Sequence, residues 1–410
     1  MSPTIRFSML SALLLLAGCG DARRSAVPAE VRDSAGVRIV TSDAPAWREG
    51  EEWRLSAGPV LSIGELDGTP EYQFERIAGA LRRADGGIVV ADAGLRALRF
   101  YGADGKFLRS GGRKGGGPGE FEELASVHLA PGDSLLAFDW RLRRVSVFAP
   151  AGSPARSVSL PAGIDAVFPQ PHLLGRTGDG SLLVGVGQRY RGGPVTEGVR
   201  QDSIDYLRYS AEGVLLDTVA VLPGGESFVK GGLGRVGFTT APLLMGRSAV
   251  HGLLGGHLVV GDNRAYQLAV YSAEGKLERL FRRRREPRPV TAAEHAAAVA
   301  ASLDGIGQEW RGRMEVVYAA MPRPATRPFY SALVVDAGGN LWVKDFAVPS
   351  ETPSTWTVFD PAGRMLGGVA MPARFRPTDI GEDHVLGVVQ DEMGVEYVQV
   401  YRLEKGARKR

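Results

Sequence analysis

The sequence predicts an all-β chain: a six-bladed β-propeller of four-stranded antiparallel blades, with an N-terminal strand closing the last blade and one helical insertion. Three observations lead there. One unit recurs along the chain, made of a Gly-rich turn, a short apolar run, and an aromatic residue followed four positions on by glycine. Within the units, apolar and polar residues alternate with the period of a strand, as in residues 143–148 and 397–401. Glycine is abundant at 55 of 410 residues, which suits many tight turns between short strands. Repetition at such a period points to a propeller, solenoid or array before any local propensity is consulted.

The aromatic-to-glycine ends run Tyr101 to Gly105, Phe148 to Gly152, Tyr209 to Gly213, Tyr271 to Gly275 and Phe359 to Gly363, with a sixth, one residue longer, from Tyr401 to Gly406. The apolar runs ahead of them cover residues 88–91, 135–138, 182–185, 258–261, 341–344 and 385–388. Further apolar stretches flank each unit, for example residues 77–81 and 106–109. Four short strands per unit make an antiparallel meander, which is one propeller blade. The last unit is a strand short, and residues 37–41 and 53–61 form a surplus at the other end. That N-terminal segment is expected to pair with the final blade.

The chain opens with Arg6 and an apolar run over residues 7–17, too short to span a membrane, that ends at Leu16-Ala17-Gly18-Cys19. This reads as a lipoprotein signal peptide over residues 1–18 with Cys19 as the acylated residue, followed by a flexible tether over 19–35 and the propeller over 36–406. Cys19 is the one cysteine, so the mature protein has no disulfide and depends on a packed core. Removing residues 1–18 takes away Arg6 alone, and the formal charge falls from +3 to +2. Such a balance predicts no general affinity for nucleic acid. The expected location is the cell envelope, anchored by lipid on the periplasmic or outer-surface face of a bacterial membrane.

A helical insertion is expected over about 290–321. Thr291 and Glu294 form a capping box, an Ala-rich run follows to Leu303, and Gly305 and Gly307 interrupt it. Trp310, Met314, Val317, Tyr318 and Met321 then recur at helical spacing, an apolar stripe for packing onto the propeller or for a lid over one mouth. The preceding Arg282 to Arg285 is read as a solvated outer edge that blocks strand addition, or as a polyanion site.

The residues resemble NHL-type six-bladed propellers, including those of secreted bacterial lipoproteins. The likeness is clearest in the second unit, where Asp139 is followed by Arg144-Val145 and then Phe148; the first unit has Ala97 and the fourth Gln267 where that arginine would fall. The Gly-rich stretch from Gly112 to Phe121 resembles the linker between NHL blades. The resemblance implies a fold and leaves activity open, since such propellers serve as binding platforms, lactonases and lyases.

Chemistry is sparsely signalled. His128 and His251 each stand eleven residues before Asp139 and Asp262 on expected innermost strands, and His172 lies between them at another phase. Three imidazoles converging on a channel could hold zinc with an open position, and calcium is the other channel ion to consider; otherwise they are hydrogen-bonded wall residues. Arg113 and Lys114 beside Gly115 to Gly119 make a candidate binding loop, but expected strands on both sides favour an inter-blade crossover over a phosphate cradle. The recurring Asp92, Asp139, Asp262 and Asp345 are expected to cap turns. The favoured reading is a membrane-anchored module that binds a protein, peptide or glycan without a cofactor. The alternative is a metal-dependent hydrolase or lyase with its site in the channel.

Overall fold

The computed structural model describes residues 29–161, 163–164, 170–188, 195–233, 237–348, 351 and 353–406. The expected signal peptide, Cys19 and the first part of the tether lie outside them. The chain is mostly β, with several four-stranded sheets consistent with a propeller.

Four short strands come first: β1 (Glu30–Ser34), β2 (Val37–Thr41), β3 (Trp53–Leu55) and β4 (Leu61–Ile63). The first sheet comprises β5 (Ile77–Arg82), β6 (Ile88–Asp92), β7 (Ala97–Tyr101) and β8 (Phe107–Gly111). The second holds β9 (Leu124–Ala130), β10 (Ser134–Asp139), β11 (Arg144–Phe148) and β12 (Pro154–Ser159). In the third are β13 (His172–Arg176), β14 (Leu182–Gln188), the long pair β15 (Gly198–Tyr209) and β16 (Leu215–Gly231), and β17 (Phe238–Pro242). The fourth is built from β18 (Val250–Leu254), β19 (His257–Gly261), β20 (Gln267–Tyr271) and β21 (Leu277–Arg282). Helices α1 (Ala292–Asp304) and α2 (Gln308–Ala320) follow. The fifth sheet is β22 (Tyr330–Val335), β23 (Leu341–Asp345), β24 (Ser354–Phe359) and β25 (Met365–Met371), and the sixth has β26 (Arg376–Ile380), β27 (His384–Gln390) and β28 (Glu396–Lys405). The leading strands adjoin in the order β5, β9, β13, β18, β22, β26 and back to β5.

The repeated unit has a physical cause. In five sheets the residue after the aromatic closes the same turn, with the glycine N–H donating back to it and the glycine at positive φ: 79° at Gly105, 80° at Gly152, 91° at Gly213, 79° at Gly275 and 89° at Gly363. These glycines also sit hard against the preceding sheet. A Cβ would lie 2.1 Å from the Ser159 carbonyl oxygen at Gly213, 2.0 Å from that of Val219 at Gly275, and 2.0 Å from the Phe281 ring at Gly363. Gly105 makes the matching contact with Leu61 of β4, at 2.8 Å. Both demands, positive φ and no room for a side chain, leave glycine as the residue that fits. The sixth match is different in kind: Tyr401 to Lys405 continues β28 straight on, antiparallel to β3, and no turn forms.

The N-terminal segment takes a longer route than expected. The tether stops short of residue 35, because Ala35 and Gly36, both at positive φ, turn β1 back antiparallel on β2. β2 does not join the last sheet; it runs parallel to β21 in the fourth. From there the backbone of Ala46 and Trp47 donates to the Met365 and Leu366 carbonyls of the fifth sheet, and β3 and β4 pair with β28 of the sixth. Trp47, Trp53 and Trp342 form a chain of tilted rings with centroids 5.2 and 5.8 Å apart along this path. The arginine run is therefore no blocked edge. Arg284 is neutralised by Asp43 and Glu30, Arg285 pairs with Asp345, and Arg283 donates to Thr357 while covering the Tyr266 ring. With these charges paired, β2 adds beside β21.

The insertion forms two helices, with the Thr291–Glu294 capping box in place. Val317 and Tyr318 of α2 and Met321 at its C-cap pack with Phe228 of β16 and Ala241 of β17, and Met314 joins them. The helices thus rest on the overgrown third sheet. Trp310 is not part of this contact: it is 48% exposed, with the Arg313 guanidinium over its ring.

Candidate functional site

The three sequence-predicted histidines come together where the third sheet meets its neighbours. In the third sheet His172 lies opposite Gly185 of β14, which lies opposite Tyr206 of β15. The imidazole of His172 folds over Gly185, where a Cβ would be 2.3 Å from its Nε2. His251 reaches in from β18 and stacks on His172, with centroids 4.0 Å apart and planes at 7°. Its Nδ1 is 3.2 Å from the buried Tyr206 hydroxyl. His128 approaches from β9, with Nε2 3.1 Å from Ser126 Oγ.

Protein surrounds these rings closely, although each residue keeps partial exposure. Burial, with a contribution from nearby His172, holds His128 down to about 4. Burial does the same to His172, also about 4, and burial together with His172 pushes His251 well below the ordinary histidine range. All three are neutral at pH 7. Burial also pushes the Tyr206 hydroxyl up. The Nε2 of His172 is buried and has no hydrogen-bond partner among the described residues.

This arrangement does not fit a metal. Imidazole lone pairs lie in the ring plane, and two parallel rings 4.0 Å apart direct theirs into separate planes that one ion cannot share. Among the described residues no group of three or more His, Cys, Asp or Glu side chains is placed to hold a metal.

The Gly-rich loop is closed on itself. Glu120 accepts from the Gly117 amide (2.8 Å) and from Arg113 (2.7 Å), so the loop's own carboxylate fills the place of an anion. Arg144 donates to the carbonyls of Gly116, Gly117 and Glu120, which explains the arginine of that unit. In the first unit Arg99 does similar work two residues beyond Ala97, donating to Pro70 and Glu71. Lys114 makes a single parallel bridge to Phe121.

Asp92, Asp139 and Asp262 accept backbone N–H groups in their turns, from Leu95, Leu142 and Arg264 respectively. Asp345 departs from this pattern. It accepts from the Tyr266 and Thr357 hydroxyls and pairs with Arg285.

Two polar recesses had no signal in the sequence. A cleft of about 310 Å³ opens between the β16–β17 side of the third sheet and the Pro-rich segment leaving α2, with Glu226, Arg247, Arg264, Arg323 and Arg327 among its lining residues. A smaller cavity of about 220 Å³ lies at the junction of the first and sixth sheets, beside Arg82, Asp383 and His384. Their residues come from elements far apart in the chain, and the arginines are scattered singly among ordinary surface positions.

No protein-family model matches the chain, and no curated protein matches it in sequence. Solved structures similar to it include a presumed exported protein from Bacteroides fragilis, at 13% identity and TM-score 0.49, covering 90% of this chain and all of that one. A gluconolactonase from Xanthomonas campestris aligns at 14% identity and TM-score 0.41, over 81% of this chain and 87% of its own. Virginiamycin B lyase from Staphylococcus aureus aligns at 8% identity and TM-score 0.40, over 85% and 99%. At these identities and scores nothing about activity carries over.

Proposed function

We propose that the protein is a six-bladed β-propeller, held at a bacterial membrane surface by acyl chains on Cys19, that binds a ligand at one mouth without converting it. The cyclic adjacency of the six leading strands supports the blade count, and the pairing of β3 and β4 with β28 supports closure by the N-terminal segment. The sequence motif ending at Cys19 supports the anchor and an NHL-like lipoprotein reading. The observation that carries the binding role is the cleft. The overgrown β15 and β16 contribute Val199 and Glu226 to its lining and the Pro-rich segment that follows the two helices contributes residues 322–328, and neither feature is needed to complete a blade. Its volume lies at the lower end of the range for small-ligand sites.

A second reading is favoured by one feature, the unpartnered Nε2 of neutral His172, which a hydrolase or lyase working in the channel could use as a base. Metal content and turnover of a lactone and ester panel separate the two. Protein without stoichiometric metal or turnover supports the binding role. Stoichiometric zinc or calcium, or turnover, lost in His128→Ala and His251→Ala overturns it. Fractionation of cells carrying Cys19→Ser tests the anchor: the variant leaves the membrane fraction, and retention there would refute lipidation at this residue.

A further inference from the structure

We propose that the cleft recognises an oxyanion, a carboxylate or phosphate group on a small polar molecule; this rests on the binding role proposed above. Four arginines line it, Arg247, Arg264, Arg323 and Arg327, against one acidic residue, Glu226. The four are not equally occupied. Arg327 is committed to Glu294 and Glu351. Arg323 donates to the Val290 carbonyl at 2.9 Å, a neutral partner, and among the described residues no carboxylate pairs with it. Arg247 and Arg264 form loose ion pairs with Glu226 and Asp262 at 3.7 and 3.6 Å, beyond hydrogen-bond reach, so their N–H groups are not taken up by those carboxylates.

Glu226 cannot serve all of this charge, because its second oxygen accepts from the Arg247 backbone N–H at 2.9 Å and so pins the loop. Three guanidinium groups therefore keep donors for an incoming group, and guanidinium forks match carboxylate and phosphate oxygens. The walls are held in place without the ligand. The Glu226 and Arg247 backbones are bonded to each other, the Leu244 N–H donates to Met321 Sδ, and Val290 pairs with Ala325. Pro322, Pro324 and Pro328 stiffen the far wall. A preformed site of this kind loses little order on binding.

The test is calorimetry on the mature full-length protein in detergent, with glucuronate and inorganic phosphate as the carboxylate and phosphate probes and glucose as the neutral control. Saturable binding of one or both anions, with no heat from glucose, is expected. The variants Arg247→Gln and Arg323→Gln each weaken it about tenfold, the value of one charge-assisted hydrogen bond. Melting curves matching the parent show that both variants are folded, and Arg264→Gln supplies a third if either is not. Which anion binds more tightly assigns the carboxylate or the phosphate source. Absence of anion binding, or affinity unchanged in folded variants, overturns the proposal. Equal binding of glucose also overturns it while leaving the cleft as a binding site, whereas turnover of a probe would overturn the binding role instead.

Discussion

The imidazoles of His172 and His251 lie face to face across the junction of the third and fourth sheets, 4.0 Å between centroids. Stacking tolerates two neutral rings and penalises two charged ones. With His128 beside them, this junction holds three groups that resist protonation.

Acid should therefore weaken the fold before the carboxylates titrate. A histidine held near 4 when folded and near 6.5 when unfolded takes up protons preferentially in the unfolded state between those values. Stability is full above about pH 6.5 and falls as pH drops toward 4, by roughly 3 kcal/mol for His172. Replacing His172 by Phe keeps an aromatic surface and removes one titration. Melting temperature measured from pH 7.5 to 4 should fall less steeply in the variant, and parallel curves would refute the assignment.

His384 should act in the opposite sense. Burial opposes its protonated form, but Asp379 and Asp383 outweigh burial and its pKa is raised. Its Nδ1 is 2.9 Å from Asp383, and Asp379 also accepts from the Arg82 backbone, which ties the sixth sheet to the first. A raised pKa contributes stability that is present below about 6.5 and is lost as pH rises through the folded value. His384→Asn should destabilise the protein at pH 6 and have less effect at pH 8.5. Equal losses at both would mean that the ring acts by shape alone.

Gly185 is the slot into which His172 folds. The variant Gly185→Ala places a methyl group 2.3 Å from Nε2 and must expel the ring or shift β14. We expect a loss of about 1–3 kcal/mol, the usual cost of overpacking, together with exposure of His172 to carbethoxylation. Unchanged stability and reactivity would show that the slot is loosely filled.

The N-terminal segment crosses the fourth, fifth and sixth sheets, and its deletion should remove more than one contact. Loss of residues 36–63 exposes Phe281, Gly367, Trp342 and the β28 edge, and should leave no cooperative melt near that of the intact protein. The single change Trp47→Ala should cost about 2 kcal/mol, less than for a fully buried tryptophan. A truncation melting like the intact chain would remove the segment from any role in holding the sheets together.

Much of the architecture could be read from residues because its causes are local and repeated. The turn at Gly213 needs positive φ and a bare Cα, and so do those at Gly275 and Gly363, so one physical demand prints the same glycine in five of the six units. The helical insertion was equally legible, since the Thr291–Glu294 capping box lies within one turn. Trp310 misled because spacing reports which residues share a helix face, not where the neighbouring sheet stops. The arginine run misled for a related reason. Its neutralising carboxylates, Glu30 and Asp43, sit at the far end of the chain.

What the sequence by itself determined is the repeated meander and five of its six turns, a chain-local matter of backbone conformation and alternation. Only the tertiary structure decided that His172 stacks on His251, that Glu120 fills its own loop, and that Arg247, Arg264 and Arg323 face one cleft. Those relationships join side chains from separate sheets or opposite ends of a loop, where distance in sequence carries no information about distance in space.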